Sequence, residues 1–303
     1  MSNRLLYAIT VLIWGSTWFA IEFQLGIVPP VVSIVYRYAI AAAMLFVWSA
    51  YRGLNLSFGW RDHAWFALLG LFLFGLNYVA AYGAQVYISS ALTAITFSMI
   101  VWLNIINARL FFGIRAGRFT VFGALLGIAG IITLFLPLVE EISLTDSVLF
   151  GLVLAAFGAL SASFGNMASQ AAQLRKLPIV QSNAWGMLYG CVFTAMLAIG
   201  AGQPFTFDPS FAYVISLLYL AVFGSVIAFG AYLTLLGRIG AHKAGYATVM
   251  FPVVALLLAA LFEGLVIDSS VLLGSILALS GNVLVMREHL GRVAARRSSR
   301  APK

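Results

Sequence analysis

The side chains in this chain that could do chemistry are amides, hydroxyls and large rings. Asn77, Tyr78 and Tyr82 fall in one apolar run, and Tyr78 and Tyr82 share a helical face at i, i+4. Ser98 and Trp102 share a face of the next run in the same way. Ser163, Phe164 and Asn166 sit at the middle of a later run. Trp185 lies one turn into the run after that, and Tyr246 one turn into another. Such groups hold a small molecule by hydrogen bonds and ring contacts and form no bond to it. An Asn in apolar surroundings needs a partner, either a neighbouring helix or a watered cavity; for Asn77 and Asn166 both stay open. Trp favours membrane interfaces, so a mid-run Trp102 is expected to line a cavity rather than merely pack. Trp185, nearer an interface, fits either role. Trp14 and Trp18 form an i, i+4 pair expected to pack.

Catalytic chemistry finds little to work with. His63, His242 and His289 fall at the ends of apolar runs with no zinc-ligand spacing. No glycine loop followed by Lys-Ser/Thr offers a phosphate cradle. The expectation is a protein that is not an enzyme and takes no cofactor or metal. The lone Cys191 excludes an internal disulfide.

The elements that position these residues follow from composition. The 303 residues are 63% hydrophobic and 9% charged, and mean hydropathy is +1.03. A soluble domain is nearer half apolar and a quarter charged. Apolar runs of about 18 or more residues are candidate membrane helices, and helices satisfy their own backbone groups in lipid. The pattern predicts an all-α integral membrane protein with ten spans: 5–23, 31–50, 63–87, 91–112, 119–136, 148–172, 181–200, 211–236, 241–262 and 271–286. Pro29, Pro30, Pro178, Pro204 and Pro209 mark turns.

The stretch Leu138–Ser147, with Glu140, Glu141 and Asp146, reads as an acidic watered loop between two halves. Sixteen of the 17 basic residues fall in alternate loops and the C-terminal tail, Arg37 being the exception. Basic loops stay cytoplasmic, so both termini are expected inside, with no nucleic-acid partner. Tyr82 and Tyr232, Ala94 and Ala244, and Phe112 and Phe262 are each 150 residues apart. Gly123 and Gly130 echo Gly274 and Gly281. Two five-span copies must be inverted relative to each other, an arrangement typical of secondary transporters, whose site lies near the midplane. The division expected is a first repeat over 1–138, an acidic periplasmic linker over 139–147, a second repeat over 148–288 and a basic cytoplasmic tail over 289–303.

Two ionisable residues stand apart. Glu22 lies at the outer end of the first span. Arg37 lies about 10 Å inward from Pro30, at ~1.5 Å per residue. It could pair with Glu22, as a structural or gating pair, or with a substrate carboxylate.

A resemblance adds to this reading. Trp14-Gly15-Ser16-Thr17, Arg37-Tyr38 followed by Ala41, and Ala244 through Pro252 to Phe262 resemble motifs of the EamA-type branch of the drug/metabolite transporter superfamily. Within that branch the chain looks most like the YddG-type aromatic amino-acid exporters. Trp102 stands where that family has a proline, and Glu263 follows Pro252 sooner than the family's Gly-Glu pair would. The resemblance implies ten helices and export of amino acids or other small metabolites by alternating access. It implies a bacterial inner membrane, a lipid bilayer and a small-molecule substrate as partners, with a coupling proton and a monomer both admissible. By register Pro252 is the counterpart of Trp102 and is expected to kink its helix. Two alternatives stand beside this: a multidrug exporter of lipophilic cations, and an intramembrane scaffold or lipid enzyme without transport.

Overall fold

The computed structural model describes residues 1–140, 145–251, 253–254 and 269–298. Pro252, Glu141 and Glu263 lie outside them, so the expected kink at Pro252 does too. Every regular element among the described residues is helical.

The first three spans form as their sequences dictate. Helix α1 (Asn3–Glu22) starts where the Ser2 hydroxyl accepts from the Leu5 amide at 3.3 Å, satisfying one of the orphan donors of a first turn. Helix α2 (Pro30–Tyr51) begins on a proline, which has no first-turn N–H to lose. The third span runs Trp60–Gln85. It is α3 (Trp60–Leu69), a π-helical stretch Gly70–Leu76 and α4 (Asn77–Gln85).

The next run is broken. Helix α5 (Ser90–Phe97) and α6 (Ile100–Phe112) meet at Ser98–Met99, and α6 ends on Gly113 at φ 65°, a left-handed position that glycine takes without strain. Helix α7 covers Arg118–Glu140. It runs past Pro137 and covers the first two residues of the stretch expected as a linker.

In the second half, α8 (Asp146–Leu174) is capped by Thr145, followed by α9 (Ile179–Gly200). Helix α10 (Phe211–Tyr219), a second π-helical stretch Leu220–Ile227 and α11 (Ala228–Ile239) make one long span. A single helical turn, α12 (Ala241–Ala244), tightens into the 3-10 stretch Gly245–Met250. The last helix, α13, is Ser269–Ser298 and carries helix well into the segment expected as a tail.

Seven of these helices are long and apolar enough to cross a membrane: 3–22, 30–51, 60–85, 92–112, 146–174, 179–200 and 211–239. Shorter apolar helices cover Arg118–Thr133 and Leu272–Val285.

Packing follows a paired scheme. Span 3–22 lies against α11, and span 60–85 against α8. Helix α2 packs on α9, α6 on the Ala241–Met250 segment, and α7 on α13. Glycines permit the closest approaches. A Cβ on Gly123 would sit 2.6 Å from the Gly281 carbonyl oxygen, and one on Gly130 2.6 Å from that of Gly274. A Cβ on Gly70 would meet the Gly186 carbonyl at 2.6 Å. Small residues that let backbones approach drive helix association in lipid, where no hydrophobic force separates helix from tail.

Candidate functional site

A cavity of about 70 Å³ lies between the first span, the third span, α6, α8, α11 and the 3-10 stretch. Its walls are mostly rings: Trp14, Trp18, Tyr78, Phe229, Tyr232 and Phe251. Leu73, Asn77, Ala81, Ile100, Ala162, Asn166, Thr17, Ile21 and Thr248 complete them. Trp14 is locked in place. Its ring N–H donates to the Gly224 carbonyl at 2.9 Å, and its ring meets Phe229, Tyr232 and Phe251 at 4.6, 4.9 and 5.8 Å.

The polar atoms of the wall fall into two groups. Thr17 and Thr248 donate to their own helices, to the carbonyls of Trp14 and Gly245, at 2.8 Å each. Asn77 Nδ2 donates back to Leu73 at 3.1 Å, and Asn166 Nδ2 donates to Asn104 Oδ1 at 3.3 Å. The remaining atoms, Asn77 Oδ1, Asn166 Oδ1 and the Tyr232 hydroxyl, are buried with no hydrogen-bond partner among the described residues. The Tyr232 hydroxyl lies beside Asn104 and Asn166 without completing a bond to either. Burying such a group unpaired costs about 1–3 kcal/mol, so three together call for water or a ligand.

The sequence-based candidates divide. Asn77, Tyr78 and Asn166 line the cavity. Tyr82 is buried behind it, where its hydroxyl accepts from Arg37 at 3.3 Å. Ser98 is buried and back-bonded to Ala94 at 3.1 Å, at the break between α5 and α6. Ser163 accepts from Asn107 Nδ2 at 2.9 Å and ties α8 to α6. Phe164 packs against Phe72 and Phe111. Tyr246 donates its hydroxyl hydrogen to the Gly123 carbonyl and ties the 3-10 stretch to α7. Trp185 donates to the Leu56 carbonyl at 3.2 Å and stands on His63 and Phe46 at the far end of its span.

Two expectations need correction. Trp102 packs, half-buried, against the core and is absent from the cavity wall; its mid-helix position fixed its depth but not its facing. Trp14 and Trp18 do pack in the core, and they also line the cavity. Glu22 and Arg37 form no pair. Glu22 is exposed, while Arg37 is 1% exposed and donates to Ser225 at 2.9 Å, Tyr82 and Tyr78. Arg37 instead reaches across to α4 and the second π stretch.

Residues missed from sequence include Thr17, Phe229, Tyr232, Thr248 and Phe251. Tyr232 had a signal: it stands 150 residues after Tyr82, itself a candidate.

A bundle of apolar membrane-crossing helices around a ring-lined cavity is the architecture of a membrane transporter. Residues 2–136 and 149–287 match the EamA-like transporter family, and the chain belongs to that family. It is 25% identical over 272 residues to "Uncharacterized transporter YoaV" of Bacillus subtilis (strain 168), covering 89% of this chain and 91% of that protein. It is 29% identical over 249 residues to "Uncharacterized inner membrane transporter YedA" of Escherichia coli (strain K12), covering 82% and 78%. "Protein PagO" of Salmonella typhimurium is 23% identical over 259 residues, covering 84% and 83%. A solved structure titled "Crystal structure of protein" superposes with TM-score 0.77 at 20% identity and 98% coverage of both chains, a likeness of fold.

Proposed function

We propose that this transporter moves small neutral or zwitterionic metabolites, amino acids with apolar or aromatic side chains foremost, and that it exports them. The observation that carries this reading is the wall chemistry of the cavity. Six rings offer faces to an apolar side chain. Asn77 Oδ1, Asn166 Oδ1 and the Tyr232 hydroxyl offer acceptors to an ammonium group. The lining contains no ionised side chain among the described residues, which suits a cargo of no net charge.

The frame we infer is ten helices in two inverted five-helix repeats. The two π stretches, Gly70–Leu76 and Leu220–Ile227, begin 150 residues apart, the interval between Tyr82 and Tyr232. The family matches in two stretches, one per half. Exchanging the halves turns the contact of the first span with α11 into that of α8 with the third span. A cavity of about 70 Å³ holds a few waters, so a bulky cargo needs the walls to move, as alternating access requires. The basic residues in alternate loops support a reading with both termini in the cytoplasm of a bacterial inner-membrane protein.

A second reading, export of lipophilic cations, draws on the same rings, since aromatic faces attract cations. Flux of labelled amino acids and of tetraphenylphosphonium into proteoliposomes, with and without a proton gradient, separates the two. The expected result is saturable flux of phenylalanine and leucine above that of aspartate and lysine. Flux of tetraphenylphosphonium with none of any amino acid would overturn the amino-acid reading.

A further inference from the structure

Arg37 is a buried cation whose described partners are all neutral. Its guanidinium donates from Nε to Ser225 Oγ at 2.9 Å, from Nη1 to the Tyr82 hydroxyl at 3.3 Å and from Nη2 to the Tyr78 hydroxyl at 3.4 Å. It lies 4.5 Å from the centre of the Tyr78 ring and 5.5 Å from that of Tyr38. No Asp or Glu among the described residues forms an ion pair with it. A guanidinium has five N–H donors in a planar fork. Three serve here, two of them at long distances, and the fork that suits a carboxylate is only loosely held.

The group also lies just behind the cavity wall. Tyr78 lines the cavity and holds Nη2 from the other side. Gly224 lies at the same boundary. A Cβ there would be 3.1 Å from Arg37 Nη2 and 3.0 Å from Thr17 Cγ2, and Thr17 lines the cavity. No side chain on Gly224 stands between guanidinium and wall.

From this juxtaposition we propose that Arg37 is the receptor for the cargo's carboxylate, reached when Tyr78 turns aside from the guanidinium. The proposal rests on the reading of an amino-acid-like cargo and deepens it. The ammonium end would face Asn77, Asn166 and Tyr232, and the carboxylate would take the Nη1 and Nη2 hydrogens now lent to two phenols. Exchanging weak neutral acceptors for a bidentate carboxylate strengthens both bonds. Tyr78 and Tyr82 keep the cation housed between cargoes. A purely structural brace would need no particular cargo.

The test is a ligand series on the whole protein in lipid nanodiscs, with dissociation constants from calorimetric titration. The ligands are L-phenylalanine, L-phenylalaninamide, which lacks the carboxylate, and 3-phenylpropanoate, which lacks the ammonium. For the wild type, L-phenylalanine is expected to bind about tenfold or more tighter than its amide, the scale of one charge-assisted hydrogen bond. That preference should vanish in Arg37→Gln and survive in part in Arg37→Lys. Gly224→Ala, which keeps the cation but places a methyl group at the boundary, should also reduce it. Equal binding of acid and amide by the wild type overturns the proposal without any variant, so a misfolded Arg37→Gln leaves it falsifiable. A preference that persists in Arg37→Gln overturns it too. Binding of 3-phenylpropanoate that needs Arg37, with no amino-acid flux, upholds the carboxylate receptor and sinks the amino-acid reading. Amino-acid flux with no carboxylate preference does the reverse. Binding of none of the three ligands overturns both.

Discussion

Tyr232 and Tyr246 are equally buried, and their hydroxyls differ in what they meet. The Tyr246 hydroxyl holds the Gly123 carbonyl of α7; that of Tyr232 lines the cavity beside Asn104 and Asn166, with no hydrogen bond of ordinary geometry among the described residues. Tyr246→Phe should therefore lower stability by about 1 kcal/mol, the worth of one net hydrogen bond, read as a fall in melting temperature in detergent. Tyr232→Phe removes no hydrogen bond of ordinary geometry among the described residues, so its melting temperature should hold or rise while cargo affinity drops. A large loss of stability in Tyr232→Phe would mean that the hydroxyl is structural. Arg37 and Glu22 make a second pair of expectations. Since they do not touch, Arg37→Gln and Glu22→Gln should add independently in a double-mutant cycle; a coupling above about 0.5 kcal/mol would restore the ion pair read from sequence. Residue types told which side chains could hold a polar cargo, and Asn77, Tyr78 and Asn166 were legible on that basis. Facing was not. Trp14, Trp18 and Trp102 all sit inside apolar runs, and which of them meets the cavity depends on neighbours distant in sequence, Phe229 and Tyr232 for Trp14 and Phe97 for Trp18.

At the scale of elements, the contact of α7 with α13 runs through Gly123, Gly130, Gly274 and Gly281. The pairs cross over, Gly123 with Gly281 and Gly130 with Gly274, so the helices run antiparallel with backbones nearly touching. Gly130→Leu should separate them and lower the melting temperature more than Gly200→Leu, where a Cβ meets nothing within 4 Å. Equal effects would show that close approach contributes nothing. The seven spans long and apolar enough to cross a membrane were readable to within a few residues, because long apolar runs, Pro at first turns and Gly at last turns act locally. The π stretches, the break at Ser98–Met99 and the 3-10 stretch were not. Hydrophobic period does not report hydrogen-bond ring size, and in the two π stretches a side chain from another helix takes a ladder carbonyl, Ser161 that of Phe72 and Trp14 that of Gly224. These departures cluster at the cavity. Asn77 and Tyr78 follow one π stretch, Gly224 and Ser225 lie inside the other, and Thr248 lies in the 3-10 stretch. Irregular turns of this kind are frequent at functional sites.

For the whole molecule, the charge pattern and the 150-residue echo led to an inverted repeat before any contact was known. Reporter fusions after residue 144 should report the periplasm, and fusions after residue 286 the cytoplasm; both on one side would remove the inversion. The cavity takes its walls from both stretches that match the family, residues 2–136 and 149–287; which side chains line it was not legible, because facing depends on neighbours far away in the sequence. If cargo passes through this cavity, filling the cavity should block transport. Ala162 lines the cavity and is buried, so a phenyl ring at that position occupies the space a cargo would take. Flux of labelled phenylalanine should be measured in proteoliposomes holding matched amounts of monodisperse wild-type and Ala162→Phe protein. Flux at background in the folded variant is the predicted result; flux at the wild-type rate would contradict a path through the cavity.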